Sequence, residues 1–164
     1  MNFKKLAEKA FIKRLITQLY PEGIVSVVAD SFDFWRVITE IAPELKDEIL
    51  NRQPNALGLC KTVFRPDSGD PVKILTGYMK GTHPDNNDGE VYQGTTGFWF
   101  KAEDWEHNHY LDYSIKSGAK PLSEVEVKGA VECLWEIFGG TETDKGYKML
   151  NDKVGLIYGD SITL

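Results

Sequence analysis

Thr62-Val63-Phe64-Arg65-Pro66-Asp67-Ser68-Gly69-Asp70-Pro71 is the stretch around which the rest of the chain arranges itself. Its first three residues are β-branched or aromatic and predict a buried strand, which breaks into a loop at Pro66 and Gly69. The loop holds one arginine, two aspartates and a serine. A guanidinium fork suits phosphate, and carboxylates suit ribose hydroxyls. Pro71 can occupy the first position of a helix, where its missing N–H costs nothing, so the Gly69 and Asp70 amides would face a bound anion. An ordinary strand-to-helix turn with solvated charges is the plain alternative on these residues alone.

Upstream, the same design occurs once more. Ile24-Val25-Ser26-Val27-Val28 is a nearly continuous apolar run, as expected of a parallel strand covered on both faces, with Ser26 as its one polar residue. Asp30 follows at the carboxyl end, where open α/β sheets and α/β barrels carry their chemistry. Ser31 is the expected cap of a helix over Asp33–Ile41, and Pro43 opens another through Leu50. Before them, Phe3, Leu6, Ala10, Phe11, Leu15, Ile16 and Leu19 recur at three- and four-residue steps, predicting an amphipathic helix from Phe3 to Tyr20.

Downstream, the pattern changes. Residues 76–123 are rich in glycine, contain all three histidines and show short alternating runs such as Val91-Tyr92-Gln93 and Phe98-Trp99-Phe100. They are expected to form short hairpins and loops as an insertion, leaving 1–75 and 124–164 as an α/β domain. His107 and His109 could face one side of a strand as metal ligands, but no third ligand stands at a recognised spacing, and a solvated loop is the simpler reading. Asp85 to Gly89 resembles a calcium loop only in composition. Val125–Phe138 predicts a helix stopped by Gly139-Gly140, Thr141–Asn151 a polar connection, and Val154–Tyr158 a third strand that runs into Gly159-Asp160-Ser161. The sequence then reaches Leu164 where a covering helix is expected, which suggests a fragment.

The 164 residues are 41% hydrophobic and 27% charged, as in a globular domain. A net charge of −6 argues against a broad nucleic-acid or anionic-membrane surface, so an anion site must be built locally. Two cysteines, Cys60 and Cys133, are too few for a disulfide framework, and no run approaches the roughly 20 apolar residues of a membrane span. A cytoplasmic location is the expectation.

Five ordered blocks carry a resemblance: Ser26–Asp33, Arg65–Pro71, Leu134–Thr141, Lys145–Leu150 and Leu156–Ile162. Together they resemble the nicotinamide phosphoribosyltransferase family, in particular its bacterial and phage members. The resemblance implies part of a type II phosphoribosyltransferase α/β barrel, built of βα units with parallel strands and carrying a β-rich insertion over 76–123. It implies a homodimer that joins nicotinamide to phosphoribosyl diphosphate, with Mg2+ on the diphosphate, giving nicotinamide mononucleotide for NAD salvage. It also implies contact of Arg65 with the nicotinamide and diphosphate groups, with Pro66 in the same substrate-binding loop. Asp67 would hold ribose hydroxyls, Gly159 and Asp160 would line the ribose-phosphate site, and Ser26 and Asp30 would match the nicotinamide pocket and its tunnel. Arg65 and Asp67 are thereby the candidate catalytic pair, and no metal ligand is assigned to the chain.

The family's catalytic histidine with its preceding glutamate, the aromatic residue that stacks on the pyridine ring, and the glycine-rich phosphate loop find no match here. The expectation is therefore roughly the middle third of an enzyme, inactive by itself. Nicotinate phosphoribosyltransferase, whose members use a similar Arg-x-Asp-Ser-Gly-Asp loop, is the second enzymatic reading. A non-catalytic split-gene or interaction module is the third.

Overall fold

The computed structural model describes residues 3–29, 31–110 and 112–158. Helix α1 (Phe3–Arg14) widens into a π-type turn over Leu15–Leu19, where the Tyr20 N–H reaches back five residues to the Leu15 carbonyl at 2.8 Å. Strand β1 (Gly23–Val28) follows. Helix α2 (Phe34–Arg36) is capped by Asp33, whose carboxylate accepts from the Arg36 N–H at 3.2 Å. Ser31 therefore does not take the expected cap, because the helix starts two residues later than its position requires. A second π-type turn (Val37–Ile41) leads through α3 (Ala42–Glu44), which contains Pro43, and α4 (Lys46–Leu50) to strand β2 (Cys60–Arg65). Next come α5 (Pro71–Thr76), β3 (Val91–Gln93), β4 (Trp99–Lys101), β5 (Trp105–His107), β6 (Tyr113–Ile115) and α6 (Glu124–Lys128). Helix α7 (Ala130–Phe138), strands β7 (Gly140–Glu142), β8 (Lys148–Leu150) and β9 (Val154–Leu156) complete the described chain.

Two differences from the sequence expectation have local causes. The helix expected over Val125–Phe138 is two helices, because Gly129 adopts φ +86°, a conformation open to glycine and outside the helical range. The connection expected over Thr141–Asn151 is a hairpin, β7 paired antiparallel with β8, turned at Asp144-Lys145-Gly146 with Gly146 at φ +79°.

The chain forms two compact units, residues 1–71 with 131–164 and residues 72–130. The first is an α/β unit around a parallel sheet of order β1-β2-β9. Ile24, Ser26 and Val28 share a face with their register partners Lys61, Val63 and Arg65, and Gly155 lies in the same row as Val63. The opposite face, with Val25, Val27, Thr62, Phe64 and Val154, is buried in a core with Ile12, Ile16, Val37, Ile38, Ile41, Leu45 and Ile49. Full burial of a side chain such as Phe64 contributes about 1.5–3 kcal/mol. The expectation of a first strand covered on both faces is not met, since Ile24 and Val28 remain 55% and 47% exposed. Among the described residues, helices cover only one side of this sheet.

Helix α1 also turns differently from its apolar spacing. Its buried residues are Glu8 and Ile12, followed by Ile16 in the turn beyond, whereas Phe3, Leu6, Phe11 and Leu19 are exposed. Glu8 occupies an inward position because the Arg36 guanidinium meets its carboxylate at 3.1 Å. Outside this pair, Lys5 bridges Glu40 and Glu44, Lys9 bridges Glu44, and Lys13 bridges Glu48, forming a ladder between α1 and the helices after β1.

Arg52 holds the amino-terminal edge of the sheet. It is 3% exposed, and its guanidinium donates to the carbonyls of Tyr20 (2.7 and 3.3 Å), Glu22 (3.1 Å) and Lys61 (3.0 Å) and to the Thr62 hydroxyl (3.1 Å). Burial pushes its pKa below the usual arginine value. Lys153 adds donations to the Leu50 and Arg52 carbonyls at 2.6 and 3.2 Å.

In the second unit, β3 pairs with β4 and β5 with β6, both antiparallel, so the expected hairpin over Val91–Gln93 and Phe98–Phe100 is present one residue later in its second strand. Val91, Tyr92, Phe100 and Val127 form its buried centre. Helix α6 opens with a capping box in which Ser123 and Glu126 bond reciprocally. Gly77 and Gly129 make a neck: a Cβ on Gly77 would lie 2.3 Å from the Val127 carbonyl oxygen, and one on Gly129 would lie 2.4 Å from the Gly77 nitrogen. The Tyr78 N–H donates to the Val127 carbonyl at 2.9 Å. The chain thus leaves and returns at a single point.

Candidate functional site at the strand ends

Parallel pairing continues past the ends of the strands. The Ala29 N–H donates to the Arg65 carbonyl at 3.0 Å, and the Ile157 N–H donates to the Phe64 carbonyl at 3.1 Å. Three carboxyl ends are therefore drawn level, and the polar loops beyond them emerge at one edge. In a parallel sheet this edge collects loop residues from every strand, which is why it hosts chemistry so often.

Arg65 is the last residue of β2 and shares the uncovered sheet face with Ser26, one strand over and two residues nearer the amino end. The Arg65 Nε donates to Asp67 Oδ1 at 2.9 Å, with both side chains a little over one-third exposed. An i to i+2 pair of this kind fixes the plane of the guanidinium above the strand end. Pro66, between them, is buried and stiffens the turn. Gly69 adopts φ +89°, and its carbonyl accepts the Tyr158 hydroxyl at 2.7 Å. The loop after β2 is thus moored to the segment after β9.

Pro71 does begin α5, as expected. That helix is only six residues long, so the charge facing this loop comes chiefly from the arginine rather than from a helix end. Asp30, Gly159 and Asp160 lie outside the described residues. Of the seven residues singled out from the sequence, the structure brings Arg65, Pro66 and Asp67 together in one turn and sets Ser26 on the neighbouring strand.

Three further residues belong with them. Lys61 lies on the same face as Arg65, and its side chain lies against Gly155, where an added Cβ would stand 3.1 Å from the lysine Cδ. Tyr158 supports the loop directly, and Arg52 supports the far end of the strand that carries Arg65. Arg52 carries no sequence signal of this role, since it sits in a turn-like segment. Tyr158 was placed on the third strand but not linked to the loop.

Among the described residues no group of three or more His, Cys, Asp or Glu side chains is placed to hold a metal ion. The His107 and His109 rings lie 6.4 Å apart, edge to face, and both residues are exposed. No described helix is long and apolar enough to cross a membrane. The arrangement at the strand ends is suited to gripping an anion with a guanidinium while carboxylates and a hydroxyl meet neutral polar groups.

The chain is similar in sequence to known proteins. The chain is 49% identical over 152 residues to a nicotinamide phosphoribosyltransferase of Acinetobacter baylyi, covering 93% of this chain and 22% of that protein. It is 34% identical over 151 residues to a nicotinamide phosphoribosyltransferase of Mycoplasma pneumoniae, covering 92% of this chain and 23% of that protein. A third, from Mycoplasma genitalium, is 29% identical over 165 residues, covering 99% and 24%. The chain therefore spans between a fifth and a quarter of the length of these relatives, less than the third expected from the sequence. The family profile described as nicotinate phosphoribosyltransferase (NAPRTase) matches residues 4–164, nearly end to end, and with the parallel sheet and its Arg-Pro-Asp-Ser-Gly-Asp loop this shows that the chain belongs to the NAPRTase family.

Proposed function

We propose that this chain forms part of a nicotinamide phosphoribosyltransferase, an enzyme of NAD salvage that transfers phosphoribosyl from phosphoribosyl diphosphate to nicotinamide. The observation that carries this reading is the register that puts Ser26 and Arg65 on one uncovered face, with the Arg65–Asp67 pair at its carboxyl edge. The uncovered face would line the inside of a type II phosphoribosyltransferase barrel to which β1, β2 and β9 contribute. Residues 76–123 would then be a β-rich insertion in the chain that builds it. The complete protein would act as a homodimer in the cytoplasm.

In this reading the ring nitrogen of nicotinamide attacks the anomeric carbon as diphosphate departs, through an oxocarbenium-like state. The Arg65 guanidinium holds the diphosphate and offsets the charge that develops on it. Asp67 fixes the guanidinium plane and receives ribose hydroxyls. Ser26 and Asp30 border the nicotinamide, and Gly159 and Asp160 the ribose phosphate. These groups act mainly by orienting two reactants, which by itself lowers a barrier by several kcal/mol, on the order of 7 to 11 at best. Magnesium enters as part of the substrate, on the diphosphate oxygens; the described residues offer no cage of their own for it.

The preference for nicotinamide over nicotinate rests on the names of the relatives. Synthesis of nicotinamide mononucleotide from nicotinamide, phosphoribosyl diphosphate and magnesium, assayed with and without competing nicotinate, tests both points. The complete protein should turn over and prefer nicotinamide. The 164-residue chain alone should give no detectable product and should self-associate through its uncovered face, where Ile24, Val28 and Ile157 are about half exposed. Robust turnover by a monodisperse 164-residue protein would overturn the view that the site needs further chain.

A further inference from the structure

The uncovered sheet face carries a second cation besides Arg65. Lys61 is half-buried there, and among the described residues no hydrogen bond or ion pair reaches its ammonium. A charge drawn partly out of water with no partner costs free energy. Its neighbours on the face supply no carboxylate: Ile24 is its partner in register, and Ser26, Val63 and Gly155 form the next row toward the carboxyl edge.

Gly155 makes room for this lysine. Glycine inside a strand weakens it and often marks the close approach of another group. Here that group is the lysine stem, since a Cβ on Gly155 would stand 3.1 Å from Lys61 Cδ and 3.7 Å from its Cγ. Gly155 pairs in register with Val63, two residues beyond Lys61 on β2. The side chain therefore leans toward the carboxyl edge, into the row below Arg65.

Lys61 and Arg65 are four positions apart on β2, on the order of 13 Å at about 3.3 Å per residue. A single six-membered ring fits between two cations so spaced. With the diphosphate at Arg65, the reacting ring nitrogen of the acceptor faces that end of the gap, and a substituent meta to it points down the face toward Lys61. An ammonium can donate to a carboxamide oxygen or to a carboxylate. The pair with the carboxylate is the stronger, because both partners are charged.

We propose that Lys61 is a specificity-determining residue of the acceptor pocket, whose ammonium takes the ring substituent and favours a carboxylate there over a carboxamide. This rests on the phosphoribosyltransferase reading above. The transfer step is the same for either acceptor: the lone pair of the ring nitrogen forms the bond to the anomeric carbon, the bond to the diphosphate oxygen breaks with its electron pair, and no proton moves. Lys61 thereby keeps nicotinate usable as a second acceptor of an enzyme that prefers the amide.

The test compares the complete protein with its Lys61→Met variant, which keeps most of the stem and removes the charge, with thermal midpoints as evidence of folding. kcat/KM is measured for nicotinamide and for nicotinate at saturating phosphoribosyl diphosphate and magnesium, and calorimetric titration reads nicotinate binding without turnover. Turnover of nicotinamide by the unsubstituted protein tests the activity reading, whereas the ratio of the two acceptors and the nicotinate affinity test Lys61. Lys61→Met should lower both kcat/KM and affinity for nicotinate at least tenfold and change kcat/KM for nicotinamide by less than about threefold. Lys61→Arg, which keeps the charge, should hold the ratio within about threefold of the unsubstituted protein. An unchanged nicotinate affinity in Lys61→Met, or an equal loss with both acceptors in a folded variant, would overturn the proposal. So would an unsubstituted protein that does not bind nicotinate at 10 mM.

Discussion

The Tyr158 hydroxyl donates to the Gly69 carbonyl at 2.7 Å, across 89 residues of sequence, and so ties the segment after the third parallel strand to the loop after the second. A neutral hydrogen bond at an exposed site contributes about 0.5–1.5 kcal/mol. Tyr158→Phe in the complete enzyme should therefore leave the unfolding midpoint nearly unchanged. It should raise KM for phosphoribosyl diphosphate several-fold, because the loop carrying Asp67 loses its mooring. An unchanged KM in steady-state assays would mean that the loop is positioned by other contacts.

Arg65→Ala should lower kcat/KM by at least about two orders of magnitude, the effect of removing a charged donor from a desolvated leaving group, roughly 2–4 kcal/mol. Arg65→Lys should recover little, since an ammonium cannot keep the in-plane contact that Nε makes with Asp67. Asp67→Asn should raise KM more than it lowers kcat. Near-normal kinetics for Arg65→Ala would place the diphosphate elsewhere.

Arg52→Ala should destabilise the first unit by about 3 kcal/mol or more, measured by urea unfolding. The substitution leaves the Tyr20, Glu22 and Lys61 carbonyls without their buried donor. Arg52→Lys should restore less than half of that loss, because one ammonium cannot span acceptors on the two segments that carry Tyr20 with Glu22 and Lys61 with Thr62. A loss under about 1 kcal/mol would show that water replaces the guanidinium at little cost.

Joining Gly77 to Gly129 through a short Gly-Ser linker should keep turnover of the complete enzyme within a few-fold. The two glycines are already in backbone contact, so the linker spans almost no distance. Collapse of activity in a variant that keeps its circular dichroism and oligomeric state would make residues 78–128 a working part of the enzyme.

Acid should loosen α1. Hydrogen bonds from Lys9 and Lys5 hold the Glu44 carboxyl below its ordinary value near 4.5, and Lys13 does the same for Glu48. A depressed folded-state pKa gives stability that is present above the unfolded value and is lost as pH falls through the folded one. Stability should therefore be flat from neutral pH down to about 5 and decline below the ordinary carboxylate value, with Glu44→Gln showing a shallower decline. Thermal midpoints measured across that range, at low and high salt, check this; a ladder this exposed should also weaken with salt.

Much of the first unit was legible because parallel strands advertise themselves. Ile24–Val28 and Thr62–Phe64 are apolar runs broken by loop formers, and the residues after them fell where chemistry is expected. Glu8 was not legible as a buried residue, since its burial depends on Arg36, 28 positions away. Nor was the open face of β1: the residues of a strand covered on both sides look the same when one cover lies elsewhere. The β7/β8 hairpin was missed because its strands are three residues long and largely polar, although the Asp144-Lys145-Gly146 turn was there to be read. Arg52 illustrates a general blind spot, because a side chain whose partners are all but one backbone carbonyls leaves no matching residue type in the sequence.

The neck also bears on how the protein reaches its fold. Thr62 must find Val154 across 92 residues to pair β2 with β9, a long search for a small sheet. Once Gly77 and Gly129 have met, the 52 steps between them no longer count, and the effective separation falls to about 40, which reduces the entropic cost of closure by about 0.7 kcal/mol. The closed excursion thus adds almost nothing to the path between the strands it separates in sequence. A segment that closes on itself can lengthen over generations without slowing the assembly of the sheet that hosts it.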